Sequence, residues 1–246
     1  MKASTIVYRF SVPKQPDYVF TLQIDSDTSA LVDTKLADAL PEEPPYWTEL
    51  EFHQCSNCPL KASESPHCPA ALRLAAVGSR CANLISFDQV TVSVETPERT
   101  ITTKTTAQQG LASLIGLIMA SSGCPRTAVF RPMARFHLPF SNESETAYRV
   151  ASMYLLAQHY AARDGRTPDL ELKDLALVYR GVHLVNLGMV QRLRAATRED
   201  AVVNAIVLLD VYTSLVPAAL DELLQEMRPS FEPLLTAPLR GTDRNE

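Results

Sequence analysis

VTVSVETPERTITTKTT, residues 90–106, is where the sequence changes character. Val90, Val92 and Val94 alternate with Thr91 and Ser93, Thr96-Pro97-Glu98-Arg99 supplies a turn, and a β-branched run returns from Thr100 to Thr106. Such alternation gives a strand one apolar face, and the branched residues suit a pleated surface. Past Thr106 the period changes and does not change back. Leu111, Leu114, Ile115 and Ile118 keep helical spacing up to the stop signal Ser121-Ser122-Gly123. Strand patterning lies before this point and most helix patterning after it, which predicts an α+β fold by segregation.

Upstream, Ile6, Tyr8 and Phe10 share one face of a strand, and Tyr18, Phe20, Leu22 and Ile24 share that of another. Pro13-Lys14-Gln15-Pro16 between them suits a hairpin turn. A short helix fits Ala30 to Leu40, before Pro41-Glu42-Glu43-Pro44-Pro45, and another fits Pro69 to Val77, with proline at its first turn. Downstream, Cys124 to Phe140 reads as an irregular apolar segment, because Pro125, Pro132 and Pro139 oppose helix and central strand alike. Packed against both halves it would be a crossover; left open it would be a binding surface, with Arg131 and Arg135 able to hold an anion.

Asn142 and Glu145 then form a capping box for a helix striped by Ala147, Val150, Tyr154, Ala157 and Ala161. A second stripe runs Leu172, Leu175, Tyr179, Val182, Asn186, Val190 and Leu193, where Asn186 reads as a register-fixing polar group. A last helix starts near Arg198 and bends at Pro217. The division is therefore 1–106, a β-rich part with a cysteine knuckle; 107–235, a helical bundle of about four helices; and 236–246, a flexible tail.

Composition narrows the function classes. The 246 residues are 46% apolar and 21% charged with net charge −5, an ordinary globular balance without a Lys/Arg block to neutralise phosphates. Nucleic acid is therefore not an expected partner. Ala201 to Leu220 comes nearest to a membrane span, but Asn204, Asp210 and Pro217 interrupt it, so it reads as a buried helix and no membrane association is expected. Residues 1–10 contain no apolar core of a signal peptide, which implies a soluble chain in a reducing cytoplasm. Five cysteines there serve as ligands or buried thiols rather than disulfides.

Those cysteines are the richest chemical signal. Cys55-Ser56-Asn57-Cys58 has the Cys-x-x-Cys spacing that lets a tight turn aim two sulfurs at one point. Cys68 follows, then Cys81, and much later Cys124. Zinc takes four N or S ligands, and Cys55, Cys58 and Cys68 are the first three. Cys124 ranks first for the fourth place, since it sits in a proline-rich loop rather than on a helical stripe; His67 ranks second and Cys81 third. An iron–sulfur cluster is the alternative cofactor, because Cys58, Cys68 and Cys124 each precede proline, although the spacing departs from a ferredoxin run. A dithiol switch and plain buried thiols use the same residues.

Cys55-Ser56-Asn57-Cys58-Pro59-Leu60, Ser122-Gly123-Cys124-Pro125 and Pro132 to Phe140 together resemble a family of uncharacterised bacterial proteins over most of the chain. The resemblance implies a bacterial, cytoplasmic setting and carries no activity or catalytic residue with it. Nothing matches a nucleophile elbow, a Gly-x-Gly-x-x-Gly turn or a P-loop, so the sequence leans away from an enzyme. The expected function is a zinc-stabilised interaction or regulatory protein with a protein partner, compatible with a homo-oligomer. The alternative is a redox protein using an iron–sulfur centre or reactive thiols.

Overall fold

The computed structural model describes residues 3–32, 43–81, 83–196 and 200–237. Strands β1 (Ala3–Ser11), β2 (Tyr18–Asp25), β3 (Leu31–Val32), β4 (Gln89–Glu95) and β5 (Thr100–Thr106) form one antiparallel sheet, ordered β3-β2-β1-β4-β5. Both hairpins read from the sequence are present. They join through β1 and β4, with Tyr8 opposite Val94 and Phe10 opposite Val92. The alternation explains the register: Ile6, Tyr8, Phe10, Phe20, Leu22, Val90, Val92 and Val94 all face inward and are buried. A slip of one residue would turn that whole set to solvent. The two-residue β3 was not expected; it occupies the start of the stretch read as a helix over Ala30 to Leu40. Positions 33–40 of that stretch lie outside the described residues.

Helix α1 (Pro69–Arg80) is inserted between β3 and β4. The remaining helices follow the sheet: α2 (Ala107–Ser121), α3 (Arg131–Arg135), α4 (Glu143–Arg163), α5 (Lys173–Ala196), α6 (Asp200–Met227) and α7 (Glu232–Thr236). Helix α2 lies directly on the inner face of the sheet. Gly110 makes this approach possible, because a Cβ there would stand 2.8 Å from Phe10 Cε1 and 2.9 Å from Val92 Cγ2. One apolar core runs from Ile6 in β1 to Ile206 in α6, and a smaller cluster joins Ala147, Val150, Leu175, Tyr179 and Leu220.

The capping box of α4 forms as read, with Asn142 Oδ1 accepting from the Glu145 amide and Glu145 Oε2 accepting from the Asn142 amide, both at 2.8 Å. The segment from Cys124 to Phe140 is more ordered than its prolines suggested. A 3-10 turn at Ala128–Phe130 leads into α3, whose first turn accommodates Pro132. Proline lacks an N–H that this turn leaves unpaired anyway, so it starts the short helix instead of breaking it.

Among the described residues no single helix is long and apolar enough to cross a membrane, although two arms, Asp200–Leu215 and Ala219–Thr236, pass together on length and composition alone. The polar groups of α6 find protein partners: Asn204 Nδ2 donates to Ser86 Oγ at 2.8 Å, and Asp210 Oδ1 meets His183 Nδ1 at 2.8 Å and Asn186 Nδ2 at 3.3 Å. Asn186 also donates to Thr213 Oγ1 at 3.1 Å, which fixes α5 against α6.

Candidate functional site

The Cys-x-x-Cys segment is a tight turn closed by the Cys58 amide donating to the Cys55 carbonyl at 2.9 Å. Chain reversal begins just before it, where His53 adopts a left-handed backbone (φ 45°) that bulky residues seldom take. The turn is pinned to α5 and to the segment after α2. Asn57 Nδ2 donates to the Gly181 carbonyl at 2.9 Å, and Arg126 Nε donates to the Asn57 carbonyl at 2.7 Å. Cys68 caps α1, its amide bonded to the Thr48 carbonyl at 2.7 Å. Gly123, at φ 93°, ends α2 and lies against Pro69, so that Cys68-Pro69 and Gly123-Cys124 abut.

Stretches that are distant in sequence thus meet at one corner, and none of the five cysteines is in a disulfide. Cys68, Cys124 and Cys58 all lie near enough for their charge to act on Cys55. Burial, then the neighbouring thiols, push the Cys55 thiol up to about 12. Burial also raises Cys68, against backbone N–H groups of α1 and the charge of Arg192, which lower it. Helix α5 leaves room for the turn at Gly188, where a Cβ would stand 2.9 Å from Cys55 Sγ and 3.3 Å from the His53 carbonyl oxygen.

Proximity is not coordination. Among the described residues, no three His, Cys, Asp or Glu side chains are gathered in a group that could hold a metal ion as they stand. The donor types suit zinc, and the four thiols share a neighbourhood, but they do not converge on a point. His67, next to Cys68, is engaged elsewhere at one ring nitrogen: its Nδ1 pairs with Thr48 Oγ1 at 2.9 Å. Cys81 is fully buried at the C-cap of α1.

Arg192 is the residue that sequence reading missed. It sits on α5 at 1% exposure and donates to the carbonyls of Trp47, Glu49 and Leu50, each at 2.7 Å. Its Nε has no partner, and among the described residues it forms no ion pair with a carboxylate. A buried cation without an anion is costly. The anionic candidates beside it are Cys55 and Cys68, on both of which its charge acts.

A second polar cluster forms around the motif Pro132 to Phe140. Tyr8 Oη, from the buried face of β1, bonds Ser113 Oγ of α2 at 2.8 Å and His137 Nε2. Burial, then the charge of Arg149, lower His137 to about 3, so the ring is neutral. Arg149 of α4 donates to the Met133 carbonyl at 3.0 Å, the Phe136 carbonyl at 2.9 Å and Ser141 Oγ at 3.3 Å. Ser113, Met133, His137, Ser141 and Arg149 border a cavity of about 460 Å³ between α2, α6 and the crossover. Arg131 and Arg135, the cations suggested by sequence, do not line it, while Phe136 turns outward at 76% exposure.

The two clusters fall in the segments on which the family resemblance was read. A family model described as a domain of unknown function, DUF6901, matches residues 6–232. The chain belongs to this family. No curated protein and no solved structure matches it. The DUF6901 match spans the sheet, the cysteine corner and the helices through the start of α7.

Sequence selected Cys55, Cys58, Cys68 and Cys124, and these four come into one neighbourhood of the DUF6901 chain. It gave no sign that Arg192 and Gly188 frame them. Both lie on α5, where spacing registers burial but not the partner across the interface. The only local hint was a charged residue beside Leu193 on an otherwise apolar face.

Proposed function

We propose that this DUF6901 chain is a zinc-stabilised interaction or regulatory protein, with Cys55, Cys58, Cys68 and Cys124 as ligands. The observation that carries this reading is that Cys58, Cys68 and Cys124 lie within electrostatic range of Cys55, beside buried Arg192, which has no carboxylate partner among the described residues; the thiols would have to draw together to hold the ion. Four thiolates around one dication leave a net charge of −2, and a guanidinium alongside offsets part of it. A dication also displaces the protons that burial holds on Cys55 and Cys68. When bound, zinc would supply structural crosslinking of the knuckle, the start of α1 and the loop after α2. His67 is the reserve ligand, since its Nε2 is not engaged by Thr48.

Exposed Phe136, with Tyr148 and Leu156 on α4, offers apolar area for a protein partner or a second copy of the chain. A soluble, cytoplasmic setting, away from membrane and nucleic acid, completes the reading. An iron–sulfur cluster on the same thiols is the other cofactor to test, and the dithiol switch has less support. A thiol pushed up to about 12 is no ready nucleophile at neutral pH.

Elemental analysis of protein from unsupplemented cells tests the proposal, read beside thermal melts. The native chain is expected to carry about one zinc, and Cys55→Ser and Cys58→Ser are expected to lose metal and melting temperature together. Brown protein purified without air would transfer the site to iron and sulfur. Native protein without metal that melts no earlier than metal-loaded protein would end the reading.

A further inference from the structure

The cavity beside His137 is a site independent of the cysteine corner. Its volume, about 460 Å³, falls within the roughly 300–1,000 Å³ of small-ligand pockets. Leu117, Met133 and Leu209 give it apolar walls, and Gly116 and Ala120 of α2 leave it wide. Polar groups line it too, among them Thr103, Gln109 and Thr213, and Arg149 lies close enough to His137 for its charge to act on the ring.

Charge selects the ligand class. Among the described residues Arg149 is the one charged group that lines the cavity, and no Asp or Glu lines it. Glu145, one turn earlier on α4, accepts from the Asn142 amide and acts on Arg149 from outside the cavity lining. His137 spends Nε2 on Tyr8 Oη, and its Nδ1 has no partner among the described residues. A cation on the wall of a chamber that no carboxylate lines matches an anionic headgroup, and the apolar wall residues match an aliphatic tail.

We propose that this cavity binds a small aliphatic monocarboxylate, with the carboxylate at Arg149 and His137 and the chain along α2. Charge-assisted bonds to the guanidinium hold the head, and displacement of water from the walls holds the tail.

Titration calorimetry of the full chain with octanoate tests this, compared with 1-octanol and octylamine, which share its tail but not its charge. Octanoate is expected to bind at one saturable site at least about tenfold tighter than 1-octanol, with octylamine not binding. Arg149→Gln is expected to erase that preference, and Arg149→Lys to retain most of it should the Gln variant melt early. Gly116→Leu fills the chamber and is expected to abolish binding; a Cβ there lies 3.6 Å from Leu209 Cδ2, an ordinary contact. Ala112→Leu replaces it if the helix is disturbed. Equal affinity for octanoate and octanol, absence of saturable binding, or octanoate binding that survives chamber filling would each overturn the proposal.

Discussion

Arg192 and Arg149 hold two irregular segments in the same way. Each reaches from a long helix and donates to backbone carbonyls of a short-turned segment: Trp47, Glu49 and Leu50 in one case, Met133 and Phe136 in the other. A planar guanidinium suits this, because its five donors fan out at fixed angles. What differs is the company each keeps. Arg192 is sealed beside groups that can become anions, whereas Arg149 is partly exposed on a cavity wall without a carboxylate. In the first region thiols that burial keeps protonated can become the counter-charge once a metal displaces their protons. In the second the nearest acidic charge, Glu145 on the same helix, lies outside the cavity lining, so the wall itself presents only the cation.

The strongest way to break this comparison is to remove the arginines. Arg192→Met removes the donor from the Trp47 and Leu50 carbonyls in a dry site and leaves Glu49 only the Phe52 amide, so urea denaturation is expected to show a loss of about 3 kcal/mol or more. Arg149→Met, nearer to water, is expected to cost about 1–2 kcal/mol. Equal losses would erase the distinction between a sealed and an open site.

A finer cut is Gly188→Ala. Its added methyl meets Cys55 Sγ and the His53 carbonyl, and the backbone atom cannot swing aside. About 1–3 kcal/mol of destabilisation is expected, accompanied by lower metal content. Unchanged metal content would mean that the position of Cys55 is immaterial to the site.

The smallest effect comes from His137. Its folded-state value of about 3 lies below the ordinary histidine value, so the unfolded chain binds its proton first as pH falls. Stability is fully present above about pH 6.5 and drains away below it, by about 1 kcal/mol between roughly pH 6 and 5. Asp25 and Asp169, both held below the usual carboxylate range by backbone N–H bonds, act lower on the pH scale and leave this window clear. Denaturation midpoints across that interval, with His137→Gln as the flat control, measure the slope.

Much of the framework was readable because its signals are local. The alternation around Tyr8 and Val92, the Asn142–Glu145 box and the stop at Gly123 each announce an element within a few residues. The two-residue β3 was too short to show a period. Pro132 misled because proline reads as a breaker until its place in a first turn is known. The site divides in the same manner. Cys55 and Cys58 identify each other, but Arg192 is meaningful only opposite residues 47–50, and His137 only opposite a tyrosine on the first strand. Such pairings are set by how layers stack, and no window of neighbouring residues contains them.

Gly110 carries one more consequence. The floor on which it rests is made by Phe10 and Val92, whose strands belong to separate hairpins. Neither hairpin alone presents that floor, so α2 has nowhere to land until the two have found each other. Because α2 also adjoins α6 and the crossover, the helical half is tied to the sheet through a seat that one long-range strand pairing completes.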